Sequence, residues 1–380
     1  MGWDLNVPVF ACFCKPYGHH YAPHPAPPQN AACAASLQAN SRRHKGPRIH
    51  PRARPVLGGF NTRTGRPRDV ETLLNGALTV AGIALLCVGG HFLVEGGIHV
   101  ARRLGVSGLV IGMTVVAYGT STPELAASVA AAGEHGDMVL GNVIGSNIAN
   151  VGMVIGVAAM LTALAVSRRT LRREVPIMVG FSALLVGLSV DGAVSRLDGA
   201  VLIAILCAFT VYTFWQSRRV RVEPAEEHAP AKTRPFPISA GMMGVGVGLL
   251  YAGAILTVDN AVAIAESFGI PERIIGITVI AIGTSLPELI TSVMAIRKGQ
   301  TDIGVGNIIG SNIYNILMIT GVAAAIAGIS VAPAAFTDYT IMILFSVALF
   351  AAFGSGRIGR KTGMLLTAGY AAYLLSTLAT

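Results

Sequence analysis

Residues Gly112–Ala158 read GMTVVAYGTSTPELAASVAAAGEHGDMVLGNVIGSNIANVGMVIGVA, and Gly276–Ala323 read GITVIAIGTSLPELITSVMAIRKGQTDIGVGNIIGSNIYNILMITGVA. With one gap near Thr301 the two stretches are identical at 26 of 47 aligned positions, at an offset of 164 before the gap and 165 after it. At the same offset Glu95 falls on Asp259, so the likeness extends upstream of the motifs. Self-similarity of this length marks a chain built from two copies of one unit.

Around these stretches, short clusters of charge separate apolar runs of roughly 17–25 residues, the length that spans a bilayer as a helix. Ten spans are expected, at about 72–92, 107–132, 138–165, 174–190, 198–216, 237–258, 271–296, 302–327, 336–353 and 362–379. Five fall in each copy. Five is odd, so the second copy must enter the membrane in the opposite orientation. The expected fold is an all-α integral membrane protein of ten transmembrane helices, arranged as two inverted five-helix repeats, residues 69–216 and 237–380, joined by a cytoplasmic linker, 217–236. Secondary transporters are built this way, with the ion site near the midplane between the repeats.

Composition agrees. The chain is 53% hydrophobic and 12% charged, against about 25% charged in a soluble domain. The net charge of +9 is no nucleic-acid signal, because the basic residues lie between spans. Loops after the odd-numbered spans carry sixteen Lys and Arg, with Arg168, Arg169, Arg172 and Arg173 in one of them, whereas the opposite loops carry only Arg196 and Arg273. That bias makes the first face cytoplasmic and leaves both ends of the transmembrane domain outside. The expected location is a bacterial inner (cell) membrane. Residues 1–68 are rich in Pro, His and Arg, hold one acidic residue, Asp4, and show no apolar periodicity. They read as a disordered basic tail or as the product of a start site placed too early. Cys12, Cys14 and Cys33, with the nearby histidines, match no zinc spacing. Cys87 and Cys207 are expected as small core residues.

Glu124 lies about seventeen residues into the second span, and Glu288 has the same place in the seventh. A charged group at the bilayer centre costs about 2.5–3.5 kcal/mol on insertion scales, so such residues mark ion pathways or proton relays. In GTSTPE, Thr120 precedes Glu124 by four residues and shares its helical face. Pro123 lacks an amide donor and disturbs the bond to residue 119, freeing a carbonyl near Ala117–Gly119 for a cation. GTSLPE repeats this with Thr284, Ser285, Pro287 and Glu288. Back-bonding to their own helix is the alternative for these Thr and Ser side chains. Asn142, Ser146 and Asn150 form an i, i+4, i+8 stripe in the third span, matched by Asn307, Ser311 and Asn315 in the eighth. Asn147 and Asn312 fall off that face and are expected to bond across helices. The inventory is two carboxylates, amide oxygens and hydroxyls, a hard-oxygen set suited to Ca²⁺ or Na⁺ rather than zinc or copper. An empty site would leave two charges unneutralised in a dry core. The protein could then change its facing only when loaded, which makes transport an exchange.

At these residues the chain resembles the calcium/cation antiporter superfamily, specifically prokaryotic sodium/calcium exchanger-like proteins, whose two α-repeats look like GTSTPE…GNVIGSNIAN and GTSLPE…GNIIGSNIYN. The likeness covers roughly residues 72–380. It implies ions held between spans two, three, seven and eight. It implies that Glu124 and Glu288 bind both Ca²⁺ and Na⁺, that Thr120, Ser121, Ser146, Thr284, Ser285 and Ser311 serve mainly Na⁺, and that Asn150 and Asn315 complete the central site. It also implies that spans one and six slide against the other eight. Some members carry Asp where Asn315 stands, which leaves the counter-ion, Na⁺ or H⁺, and the stoichiometry open. A calcium/proton antiporter on the same site is the alternative. A cation channel would more often build its filter from an oligomeric ring. An intramembrane enzyme lacks any HExxH, GxSxG or P-loop pattern. No cofactor is expected beyond the transported ions, and the sequence does not give the oligomeric state.

Overall fold

The computed structural model describes residues 68–133, 136–219, 234–352 and 354–379. The basic tail with its cysteines, and residues 220–233 of the linker, lie outside them. The described chain is almost wholly helical, the form that satisfies every backbone polar group without water.

In the first copy, α1 is Arg68–Leu104 and α2 is Gly108–Thr120, with a π-helical stretch at Gly112–Val116. Helix α3 is Thr122–Ala131. Helix α4 runs from Gly136 to Leu161 through a π-helical stretch at Asn150–Ile155, α5 is Val175–Leu188 and α6 is Arg196–Arg219. The second copy repeats this order. Helix α7 is Phe236–Ser267; α8 runs from Glu272 to Thr284 with π geometry at Gly276–Ile280; α9 is Leu286–Arg297; α10 is Thr301–Ala327; α11 is Ala335–Ala348; and α12 is Arg360–Ala379. Four two-residue strands lie between helices: β1 Leu164–Ala165, β2 Ala193–Val194, β3 Ile329–Ser330 and β4 Arg357–Ile358.

By length and composition, six described helical stretches can cross a membrane: Val70–Leu104, Met138–Leu161, Arg196–Ser217, Phe236–Ser267, Thr301–Ala327 and Ala335–Ala352. The bent pair Thr278–Thr284 and Leu286–Arg297, at 46°, would make a seventh. The expected second span is interrupted at Ser121 in the same way, and α5 is short. Helices α1 and α7 run well past their expected ends at residues 92 and 258, so Glu95 and Asp259 lie within helices rather than beyond them. Glu95 is half-buried, 2.8 Å from Lys298 Nζ and 3.4 Å from His99 Nε2. Cys87 and Cys207 are exposed, not core residues. Many large apolar side chains of these helices are exposed, among them Val80, Val88, Val201 and Val211, so hydropathy alone could not tell the two sides apart.

Contacts between the copies come in exchanged pairs. Strand β1 pairs antiparallel with β4, and β2 with β3; at the repeat offset, β1 corresponds to β3 and β2 to β4. Gly156 of α4 meets Gly363 of α12, and the corresponding Gly321 of α10 meets Gly199 of α6. Helices α1 and α7 pack antiparallel: a Cβ at Gly89 would lie 2.8 Å from the Gly246 carbonyl oxygen, and one at Gly253 would lie 2.8 Å from that of Gly82. Without Cβ atoms the two backbones approach closely, which strengthens dispersion between helices in a solvent as apolar as their side chains.

Candidate functional site

Both glutamates sit where a helix restarts. Ser121 has φ −86°, ψ 10°, and Ser285 has φ −90°, ψ 3°; each separates two helical pieces, and each following piece has proline in its first turn. Pro123 and Pro287 have no N–H to offer the carbonyls of Gly119 and Gly283, so the ladder breaks there. Glu124 and Glu288, one residue later, are 2% and 0% exposed.

The copies interlock at this level. Ser121 Oγ donates to Glu288 Oε1 at 2.9 Å. Thr120 Oγ1 donates to Asn307 Oδ1 at 3.1 Å and lies 3.5 Å from Ser311 Oγ. Thr120 shares that one hydroxyl proton between Asn307 Oδ1 and Ala117 O, the latter at 3.2 Å, whereas Thr284 back-bonds to Ala281 O at 3.3 Å. Asn150 Nδ2 donates to Asn312 Oδ1 at 3.0 Å, and Asn315 Nδ2 donates to Asn147 Oδ1 at 3.2 Å. The cross-helix bonding expected of Asn147 and Asn312 is therefore present. Asn150 and Asn315 each open a π-helical stretch, a distortion that recurs at functional sites.

Five buried polar atoms at this level have no hydrogen-bond partner: Glu124 Oε2, Glu288 Oε2, Asn150 Oδ1, Asn315 Oδ1 and Ser285 Oγ. Leaving one such atom unsatisfied costs about 1–3 kcal/mol, more when it is charged. All five are oxygens, two from each half's glutamate and asparagine and one from Ser285. Oxygens without a proton to give, or with none given to them, are the kind of donor a hard cation takes. No group of three or more His, Cys, Asp or Glu able to hold a metal occurs among the described residues.

Of the expected site residues, Thr120, Ser121, Ser146, Ser285, Ser311, Asn150 and Asn315 are buried with the glutamates, and Thr284 is half-buried. Asn142 and Asn307, read as part of the stripes, give their Nδ2 atoms to Ser128 Oγ at 3.0 Å and Ser292 Oγ at 2.9 Å, while Asn307 Oδ1 keeps the bond from Thr120. These serines were missed. The signal was available, since Ser128 and Ser292 follow the two glutamates by four residues and share the repeat offset.

The two halves also differ in helix contact. A Cβ at Gly310 of α10 would lie 2.4 Å from the Met113 carbonyl oxygen, and one at Gly112 would lie 2.4 Å from that of Ile303, so α2 and α10 are in backbone contact beside the site. The corresponding glycines of α4, Gly141 and Gly145, have nothing within 4 Å of a built Cβ. The backbone contact made by α2 and α10 is therefore not made at the equivalent glycines of α4.

The family described as sodium/calcium exchanger protein matches residues 75–215 and 238–379. The inner membrane protein YrbG of Escherichia coli is 36% identical over 312 residues, which cover 80% of this chain and 96% of that protein. The sodium/calcium exchanger MaX1 of Methanosarcina acetivorans is 31% identical over 355 residues, covering 80% of this chain and 98% of that one. Among solved structures, the sodium-calcium exchanger NCX_Mj soaked with zero Na⁺ and Ca²⁺ superposes with a TM-score of 0.70 at 29% identity, covering 80% of this chain and 99% of that one.

Proposed function

The chain belongs to the sodium/calcium exchanger family of membrane transporters, and from that premise we propose that it exchanges Ca²⁺ for Na⁺ across a bacterial inner membrane by alternating access, at one site between two inverted five-span halves. The observation that carries this reading is that the motifs of both halves contribute buried oxygens without a hydrogen-bond partner, on Glu124, Glu288, Asn150, Asn315 and Ser285. Two carboxylates balance one divalent or two monovalent cations. The loaded states are neutral and can cross between facings, whereas the empty site keeps its charge in a dry core. Glu124 and Glu288 take both ions; Asn150, Asn315 and the hydroxyls of Thr120, Ser121, Ser146, Thr284, Ser285 and Ser311 complete their coordination. The name of the relative MaX1 supports the Na⁺ and Ca²⁺ pairing, and that of YrbG supports the membrane.

The exchanged contacts support inversion. If the copies ran parallel, β1 and its counterpart β3 would lie on one face. Instead β1 pairs with β4 and β2 with β3, which is what opposed copies require. The β1–β4 side carries Arg168, Arg169 and Arg357 and is the cytoplasmic one by the charge rule; both ends of the transmembrane domain then lie outside. On the same reading the α2–α10 contact closes the cytoplasmic end, and the separation of Gly141 and Gly145 from their counterparts leaves the outer end open. A twofold-related pair of gates, one shut and one open, is the arrangement that alternating access needs.

The test is ⁴⁵Ca²⁺ uptake by sodium-loaded vesicles containing the full chain, placed in sodium-free medium. Uptake that requires internal sodium and vanishes in Glu124→Gln and Glu288→Gln supports the reading. Uptake driven by an imposed proton gradient and indifferent to sodium assigns the counter-ion to protons on the same site. Wild-type uptake in both variants refutes the site.

A further inference from the structure

Asn147 and Asn312 carry no atom among the unpartnered oxygens, yet they are buried to 1% exposure between the halves. Each spends its amide on the other copy. Asn147 Nδ2 donates to the backbone carbonyl of Asn312 at 3.3 Å, and Asn312 Nδ2 donates to that of Asn147 at 3.5 Å. A backbone carbonyl only accepts, so it dictates which end of each amide faces it. The Oδ1 atoms must then face the other way, where they accept from Asn315 Nδ2 and Asn150 Nδ2. The same bonds turn the Oδ1 atoms of Asn315 and Asn150 away from these partners, and those two oxygens are unpartnered.

We propose that Asn147 and Asn312 are positioning residues that present Asn315 and Asn150 to the transported cation oxygen-first, and that Asn147 makes position 315 a neutral ligand in this chain. The inference rests on the reading that Asn150 and Asn315 contact the ion. An amide free to rotate could offer its NH₂ group to a cation, which is repulsive; the two backbone carbonyls remove that freedom through one intervening asparagine each. The relay also has a consequence for charge. A carboxylate at position 315 has no proton for Asn147 Oδ1, and the two oxygens would face each other 3.2 Å apart, the present separation of Asn315 Nδ2 and Asn147 Oδ1. Asn147 cannot escape by flipping, because its oxygen would then face the Asn312 carbonyl at 3.3 Å. The fixed charge of the site is therefore held at the two glutamates.

The test is a double-mutant cycle read by equilibrium ⁴⁵Ca²⁺ binding to the purified full chain in detergent: wild type, Asn147→Ala, Asn315→Asp and the double variant. With Asn315 present, removing the Asn147 side chain weakens Ca²⁺ binding about tenfold, the worth of one hydrogen bond. In the Asn315→Asp background, the same removal relieves an oxygen–oxygen contact, so binding strengthens. That change of sign is the expected result, and a merely structural role for Asn147 would not produce it. Equal weakening in both backgrounds, the additive outcome, overturns the proposal, as does no effect in either. The symmetry-related cycle of Asn312→Ala with Asn150→Asp decides the matter if a variant of the first fails to fold, as judged by its melting curve without ions. Glu288→Gln in the same assay separates the failures. Retained binding in Glu288→Gln overturns the site and this inference with it, whereas lost binding with an additive cycle overturns only the relay.

Discussion

Replacing Gly145 with alanine separates the resting structure from the transport cycle. Gly145 corresponds to Gly310 at the repeat offset, and Gly310 is where α10 touches the backbone of α2. A Cβ there would lie 2.4 Å from Met113 O, 2.5 Å from its Cα and 2.6 Å from its carbonyl carbon. At Gly145 a Cβ meets nothing within 4 Å. Alanine is better than glycine in a helix by about 0.8–1 kcal/mol, so Gly145→Ala should melt at or slightly above the wild-type temperature and bind Ca²⁺ normally. In the opposite facing, the alternating-access reading brings Gly145 against Ile277 as Gly310 now lies against Met113. The added methyl would then overlap main-chain atoms by about 1 Å relative to ordinary contact. No rotamer change relieves an overlap with backbone, and overpacking of this kind costs about 1–3 kcal/mol. At about 1.4 kcal/mol per tenfold, that facing, and turnover with it, falls about 5- to 150-fold. The assay is sodium-driven ⁴⁵Ca²⁺ uptake beside equilibrium binding and thermal melting of the same variant. Wild-type turnover by stable, Ca²⁺-binding Gly145→Ala would refute the reasoning, because the two gates would then not close by equivalent contacts.

Three further outcomes are expected. Gly310→Ala carries its clash in the present structure and should lower the melting temperature, where Gly145→Ala does not. Gly89→Leu places a side chain against the Gly246 carbonyl, 2.8 Å from its Cβ, and should separate α1 from α7; the loss is read as a lower melting temperature and reduced uptake. Lys298→Gln removes the 2.8 Å ion pair with Glu95, a partly exposed contact worth about 1 kcal/mol or less. It should leave the melting temperature almost unchanged while raising hydrogen exchange at the C-terminal end of α1.

Much of this was legible in the sequence, because a repeat states its important residues twice. Glu124 and Glu288 stood out as carboxylates in apolar runs, and the spacing of Asn147 and Asn312 already set them off the face of Asn150 and Asn315. Other features were not legible, for physical reasons. Helix α1 outruns its expected end, and Glu95 in the added stretch finds Lys298 and His99 as partners; a hydropathy window cannot see a tertiary ion pair. The strand pairs β1–β4 and β2–β3 are two residues long, too short to show alternation. The difference between the two sets of glycine contacts was invisible in principle. Gly141 and Gly145 match Gly306 and Gly310 residue for residue, so the sequence specifies both contacts, and only a structure records which one is made.

Coupling is the central claim, and one flux measures it most directly: ²²Na⁺ efflux from vesicles of the full chain, with and without Ca²⁺ outside. The account predicts efflux only when external Ca²⁺ is present, and none from Glu288→Gln vesicles under either condition. Efflux into a medium without Ca²⁺ or any other exchanging cation, at the same rate as with it, would contradict the account, because ions would then be crossing a site that returns empty.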